Sequence, residues 1–165
     1  MANEELEQRG YFVEGKLRGD KFGPFECFNV GCTSIKEFVA SGITATVPAT
    51  LSFPFKAFKP PRLPTSAKPD TLYIQRLSAL LRPVAIAEHK SPKRRRSERD
   101  ILCAAEQALF SALALDAQIA LIYRNNGCLY VDVAASALKE EIVYFAERRD
   151  FNPAVLQNLL LKRLL

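Results

Sequence analysis

The chain has 165 residues, 48% of them hydrophobic and 25% charged, with a net charge of +5. That length suits one domain with its own core, burying roughly two-thirds of the unfolded-chain surface. No apolar run approaches the ~18 residues of a membrane span, and the start, Met-Ala-Asn-Glu-Glu, lacks the basic and apolar regions of a signal peptide, so a cytoplasmic protein with no membrane partner is expected.

Residues 3–9 read as a short helix capped by Asn3 and ended by Gly10. Tyr11 to Phe28 alternates weakly, as a hairpin would, with Arg18-Gly19-Asp20 in a turn. Thr33 to Ala40 reads as one or two helical turns stopped by Gly42, and Ile43 to Phe58, rich in Thr, Val and Phe, as strand with Pro48 and Pro54 at edges or bulges. Four prolines make residues 60–69 a loop. Thr71-Leu72-Tyr73-Ile74 and the run Val84-Ala85-Ile86-Ala87 are strand segments, followed by a basic loop from Ser91 to Arg99. Ser97 and Asp100 form a capping box for a helix whose apolar residues at 101, 102, 105, 108, 109, 112 and 113 keep helical spacing to about Leu115. Ile119–Arg124 and Cys128–Val133 flank Asn125-Asn126-Gly127, a hairpin signal because Asn-Gly accepts positive φ. Two helices are expected to close the chain, Ala137–Arg149 after Ser136 and Pro153–Leu165 after Asn152.

Charge is unevenly spread. Between Leu51 and Arg99 twelve Lys/Arg face three Asp/Glu, a net of +9, so the remainder carries −4. Such a basic region raises the local concentration of a polyanion and supplies phosphate contacts. The cysteines at 27, 32, 103 and 128, with one histidine, lack the paired spacings of a zinc site and are read as small buried or half-buried apolar residues of a reducing compartment.

Inside the basic region lies the constellation that carries chemistry. Pro69-Asp70 is followed, eighteen residues after the aspartate, by Glu88-His89-Lys90 at the end of the Val84–Ala87 run. Alternate side chains of a strand share a face, so Glu88 and Lys90 project together while His89 points away and packs. Asp70 reaches the same spot if its strand pairs with theirs. Two carboxylates suit Mg²⁺ or Mn²⁺, hard cations held by one or two carboxylates plus phosphate oxygens, and the His89 backbone carbonyl is a further oxygen. Lys90 is a compact charge for the nucleophile or the scissile phosphate. The four cations Lys93, Arg94, Arg95 and Arg96 read as a phosphate clamp, a localisation signal in a nucleated cell, or a solvated loop.

This arrangement resembles the PD-(D/E)xK nuclease superfamily, and the strand Arg82–Lys90 is similar to its counterpart in the N-terminal nuclease domains of type I restriction enzyme motor subunits. Ile119–Arg124 with Asn125-Asn126-Gly127 is similar to the strand that follows the helix in those domains, so the resemblance spans about residues 69–133. It implies Asp70, Glu88 and Lys90 as catalytic residues. Relatives often carry Gln-x-x-x-Tyr on the helix after the lysine; here Gln107 keeps the glutamine and Ser111 stands in the tyrosine position. Many also place a glutamate on the first helix, for which Glu5, Glu7 and Glu37 are all available.

The expected architecture is an α/β, restriction-endonuclease-like sandwich with a mixed central sheet flanked by helices, its core over about 33–133 and a helical extension over about 137–165. The expected function is Mg²⁺- or Mn²⁺-dependent hydrolysis of DNA in restriction, defence or DNA processing. The alternative is a non-catalytic DNA-binding or assembly module on the same fold. Leucines at 156, 159, 160, 161, 164 and 165 are either core or a surface for a homodimer mate or a motor or specificity subunit, with Leu161 and Leu165 expected to lie partly outside the core.

Overall fold

The computed structural model describes residues 4–90, 97–124, 127–148 and 153–164. Helix α1 (Glu4–Gln8) leads into a small hairpin, β1 (Phe12–Val13) and β2 (Lys16–Leu17). The strands β3 (Asp20–Phe22), β4 (Phe25–Asn29), β5 (Thr71–Leu77), β6 (Leu80–His89), β7 (Ile119–Arg124), β8 (Gly127–Asp132) and β9 (Tyr144–Arg148) form one seven-stranded sheet in sequence order. Every neighbouring pair is antiparallel except β6 and β7. A parallel pair needs a crossover, and α3 (Glu98–Leu115) provides it. The remaining helices are α2 (Ile35–Ala40), α4 (Val133–Lys139) and α5 (Pro153–Leu164). The fold is mixed α/β, a large mixed sheet flanked by helices.

The sheet separates two cores by the alternation of its strands. On one face Phe28, Leu72, Ile74, Ile86, Ala120 and Ile122 share a core with α2 and α3; Phe28 meets Phe38 of α2, and α3 lies on β6 and β7, where its buried Ala104, Ala105, Ala108 and Ala112 let it approach closely. On the other, Tyr73, Ala85, Ala87, Ile119, Leu121 and Tyr130 pack with Leu156 and Leu160 of α5. Helix α3 starts as its sequence requires: Ser97 Oγ accepts from Asp100 N–H at 3.1 Å and Asp100 Oδ2 from Ser97 N–H at 3.2 Å.

Three expectations are corrected: the helix at 137–149, the width of the core and the strand at 43–58. The stretch 137–149 is not one helix. Asp132, not Ser136, caps α4, which stops at Glu140 in the left-handed region (φ 55°), and the β-branched and aromatic residues Ile142-Val143-Tyr144-Phe145 then run into β9. The sheet therefore spans residues 20–148, wider on both sides than the expected core. The leucines of α5 follow the core reading: Leu156 and Leu160 are fully buried, Leu159 and Leu164 pack against them, and Leu161, expected to lie partly outside, is the one exposed among the described ones, at 40%. Leu165 lies outside the described residues. The helix is further pinned by an Arg163–Asp132 ion pair.

Residues 43–58 are the third correction. They form no strand but an irregular strap across α3. Pro48 and Pro54 cannot donate to a ladder, and the N–H groups of Lys56, Ala57 and Phe58 are instead taken by one carboxylate, Glu106 of α3, at 2.8, 2.6 and 2.9 Å. Glu106 is 2% exposed. Three amide donors make burial of its carboxylate tolerable, and the strap's Phe55 and Phe58 pack edge-on and tilted against Phe110, with ring centroids 5.7 and 5.9 Å away.

Truncating Glu106 to alanine orphans those donors, and leaving buried donors unpaired costs about 1–3 kcal/mol for a single group. Glu106→Ala should lower the free energy of unfolding by about 3 kcal/mol or more, with Glu106→Gln intermediate, as read from urea midpoints at constant m-value.

Candidate active site

The antiparallel register of β5 and β6 sets Thr71 opposite Ala87, so the residue before β5 lies beside the end of β6. Asp70 is held there by its Oδ2, which accepts the His89 N–H at 2.7 Å. A β-carbon at Gly31 would come within 3.2 Å of Asp70 Oδ1, so the loop after β4 packs directly on the carboxylate. On a strand a residue's carbonyl lies on the same edge as its N–H, which puts the His89 carbonyl on the Asp70 side.

Along β6 the alternation sends Ile86, Glu88 and Lys90 to the α3 face and Ala87 and His89 to the other. Lys90 Nζ donates to Gln107 Oε1 at 2.9 Å. The His89 ring lies 4.6 Å from that of Tyr123, with Nε2 3.0 Å from Thr71 Oγ1; burial pushes its pKa down. It lies on the far face, as the alternation predicts, but is exposed there against Tyr123 rather than packed in the core. Asp70, Glu88, Lys90 and Gln107 are thus gathered at one end of the sheet.

Glu88 is the unusual member. It is 2% exposed, and its Oε1 is buried without a hydrogen-bond partner. Burial, the charge of Asp70 and hydrogen bonding with Asp70 push its carboxyl up to about 8, while Lys90 pulls the other way. A buried carboxyl with an unpartnered oxygen beside a second carboxylate is a poor structural element, since desolvation and like charge both oppose ionisation. Those two carboxylates fit a hard divalent cation, which would relieve both penalties. Among the described residues no group of three or more His, Cys, Asp or Glu side chains gathers where an ion could sit, so phosphate or water oxygens would complete such a shell.

The other expected residues divide. Glu5 Oε2 accepts from Thr33 Oγ1 at 3.2 Å, Glu7 is exposed, and Glu37 Oε2 is buried without a partner. The groups that shift Glu88 are Asp70 and Lys90, and none of these three is among them. Lys93, Arg94, Arg95 and Arg96, like Asn125 and Asn126 of the expected hairpin turn, lie outside the described residues. The cysteines are free; Cys27 and Cys128 are buried and Cys103 half-buried as expected, but Cys32, on the loop after β4, is exposed. Burial pushes the thiols of Cys27 and Cys128 up to about 11 and about 12, which leaves them unreactive.

Sequence reasoning missed the wall of the site. A cavity of about 220 Å³ opens beside Glu88 and Gln107, lined also by Phe58, Pro61, Ser66 and Lys68. Lys68 stands two residues before Asp70 within the basic region, a signal that was legible. Phe58 comes from the strap and had none. No described helix is long and apolar enough to cross a membrane.

Because Glu88 holds its proton to about pH 8 when folded but ionises near 4.5 otherwise, the folded state binds more protons between those values. Its contribution to stability is complete below pH 4.5 and is lost as pH rises to about 8. In metal-free buffer Tm should fall across that window, and Glu88→Gln should flatten the decline. Adding Mg²⁺ at pH 8 should raise the Tm of the parent protein but not of Glu88→Gln; equal pH profiles for the two would show that Glu88 is not the titrating group.

Comparison with protein-family models, curated proteins and solved structures returns no match to this chain.

Proposed function

We propose that this protein is a divalent-metal-dependent deoxyribonuclease built on a restriction-endonuclease-like fold. The observation that carries the reading is the meeting of Asp70 with Glu88, whose buried Oε1 has no partner, beside a lysine oriented by Gln107. The order of elements supports it: an antiparallel run β4-β5-β6, a crossover helix, and a parallel β7.

A bound cation supplies Lewis acidity and neutralises charge at the phosphate. The chain's own residues do the rest. Asp70 and Glu88 hold that charge at the end of β5 and β6, and the Asp70–His89 bond keeps the two carboxylates together. Lys90, its ammonium steered by Gln107, offers a positive charge where negative charge develops in phosphodiester hydrolysis. The basic region between Leu51 and Arg99 draws the polyanion in. A non-catalytic DNA-binding or assembly module would be favoured if Asp70 and Lys90 did not converge; that both bear on Glu88 supports the catalytic reading.

Cleavage of DNA in Mg²⁺ or Mn²⁺ should fall at least about a hundredfold, roughly 2.7 kcal/mol of barrier, in Asp70→Asn, Glu88→Gln and Lys90→Ala, with the fold intact by circular dichroism. Undiminished cleavage by all three folded variants would remove the site assignment.

For the basic loop, replacing Lys93, Arg94, Arg95 and Arg96 with serine should weaken duplex binding and reduce the slope of log K against log salt by about 0.9 per lost phosphate contact. An unchanged slope would make that segment a solvated surface.

A further inference from the structure

We infer that the cavity beside Glu88 is a receptor for one unpaired nucleobase, so that the preferred substrate is DNA carrying an extrahelical or single-stranded nucleotide next to the scissile phosphate. This rests on the nuclease reading of Asp70 and Glu88.

The cavity has the size and lining for such a group. Its volume is about 220 Å³, below the roughly 300–1,000 Å³ of sites for drug-sized ligands and suited to a single ring system. Phe58 and Pro61 offer apolar faces, and Ser66 and Gln107 offer hydrogen-bonding groups for a base edge. Lys68, on the rim leading to Asp70, is placed for a flanking phosphate.

Two further features tie the cavity to the reaction centre. Glu88 and Gln107 belong to both, so a base lodged there belongs to a nucleotide at or adjacent to the phosphate facing the carboxylates. The Phe58 wall is also set in advance. Glu106 accepts the Phe58 N–H at 2.9 Å along with its two predecessors, and the ring rests on Phe55 and Phe110. An aromatic face fixed before binding loses little freedom when a base stacks on it. A duplex keeps its bases stacked, and extrusion costs least where a base is already unpaired.

The test uses the full chain with Ca²⁺ replacing Mg²⁺, and reads affinity by fluorescence anisotropy on three duplexes: fully paired, with one bulged adenosine, and with one bulged abasic nucleotide. The abasic bulge has the same flexibility without the base. The bulged adenosine should bind at least about fivefold tighter than the abasic bulge, the lower end of what stacking one base is worth. Phe58→Ala and Ser66→Tyr should each erase that difference. Ser66→Tyr fills the cavity without removing a packed ring, so it stays informative if Phe58→Ala loosens the strap. Equal affinity for the two bulges, or a preference that persists in folded Ser66→Tyr, would overturn the proposal. Cleavage of DNA without any base preference would leave the nuclease reading intact and remove the pocket. A Phe58-dependent preference with no cleavage in Mg²⁺ or Mn²⁺ would do the reverse.

Discussion

The site depends on the pairing of β5 with β6. Their register sets Thr71 against Ala87, and one further residue along, the Asp70 carboxylate closes on the His89 amide. Shifted by one residue, the pairing would turn every side chain of one strand to the opposite face; Glu88 would leave the α3 face and the carboxylates would part. The register is itself held by burial, because Leu72, Ile74 and Ile86 fill the core shared with α2 and α3 while Tyr73, Ala85 and Ala87 face α5. A bulge between Tyr73 and Ile74 absorbs the irregularity at Pro83, leaving the end with the carboxylates in regular register.

Helix α3 performs two tasks through adjacent residues. Glu106 holds the strap by its backbone, and Gln107 holds the ammonium of Lys90. The strap and the lysine are thus fixed to one rigid element, and the alanines beneath let that element sit close on the sheet. A site whose parts share a helix and two paired strands has little freedom to drift, which preorganised electrostatics requires. The tension lies in Glu88, whose burial and neighbour oppose its charge. Residues that violate local energetic rules concentrate at functional sites, and this carboxyl is the clearest violation in the described residues.

Much of this is legible in the amino-acid sequence. The alternation of β6 assigned Glu88 and Lys90 to one face and His89 to the other, the capping box located the start of α3, and Asp70 was paired with the correct strand. Gln107 was within reach as an auxiliary residue, though its contact with Lys90 depends on how closely α3 approaches the sheet. The C-terminal region was misread because Ser136 and the charged run after it fit helical chemistry, while a left-handed Glu140 and an open edge at β8 favoured a strand. The apolar residues of 43–58 looked like a strand because pattern reports burial, not hydrogen bonding.

Sequence alone determined the local chemistry: which side chains share a strand face, where the long helix begins, and where positive charge concentrates. These follow from backbone period, capping and composition, all of which act over a few residues. Only the tertiary structure decided what met what. The approach of Asp70 to Glu88, the seat of Lys90 on Gln107 and the hold of Glu106 on the Phe58 wall join residues 18, 17 and 48 apart. Such contacts are set by the packing of whole faces, in which one buried carboxylate at position 106 could claim the backbone of a strap that its own sequence marked only as apolar.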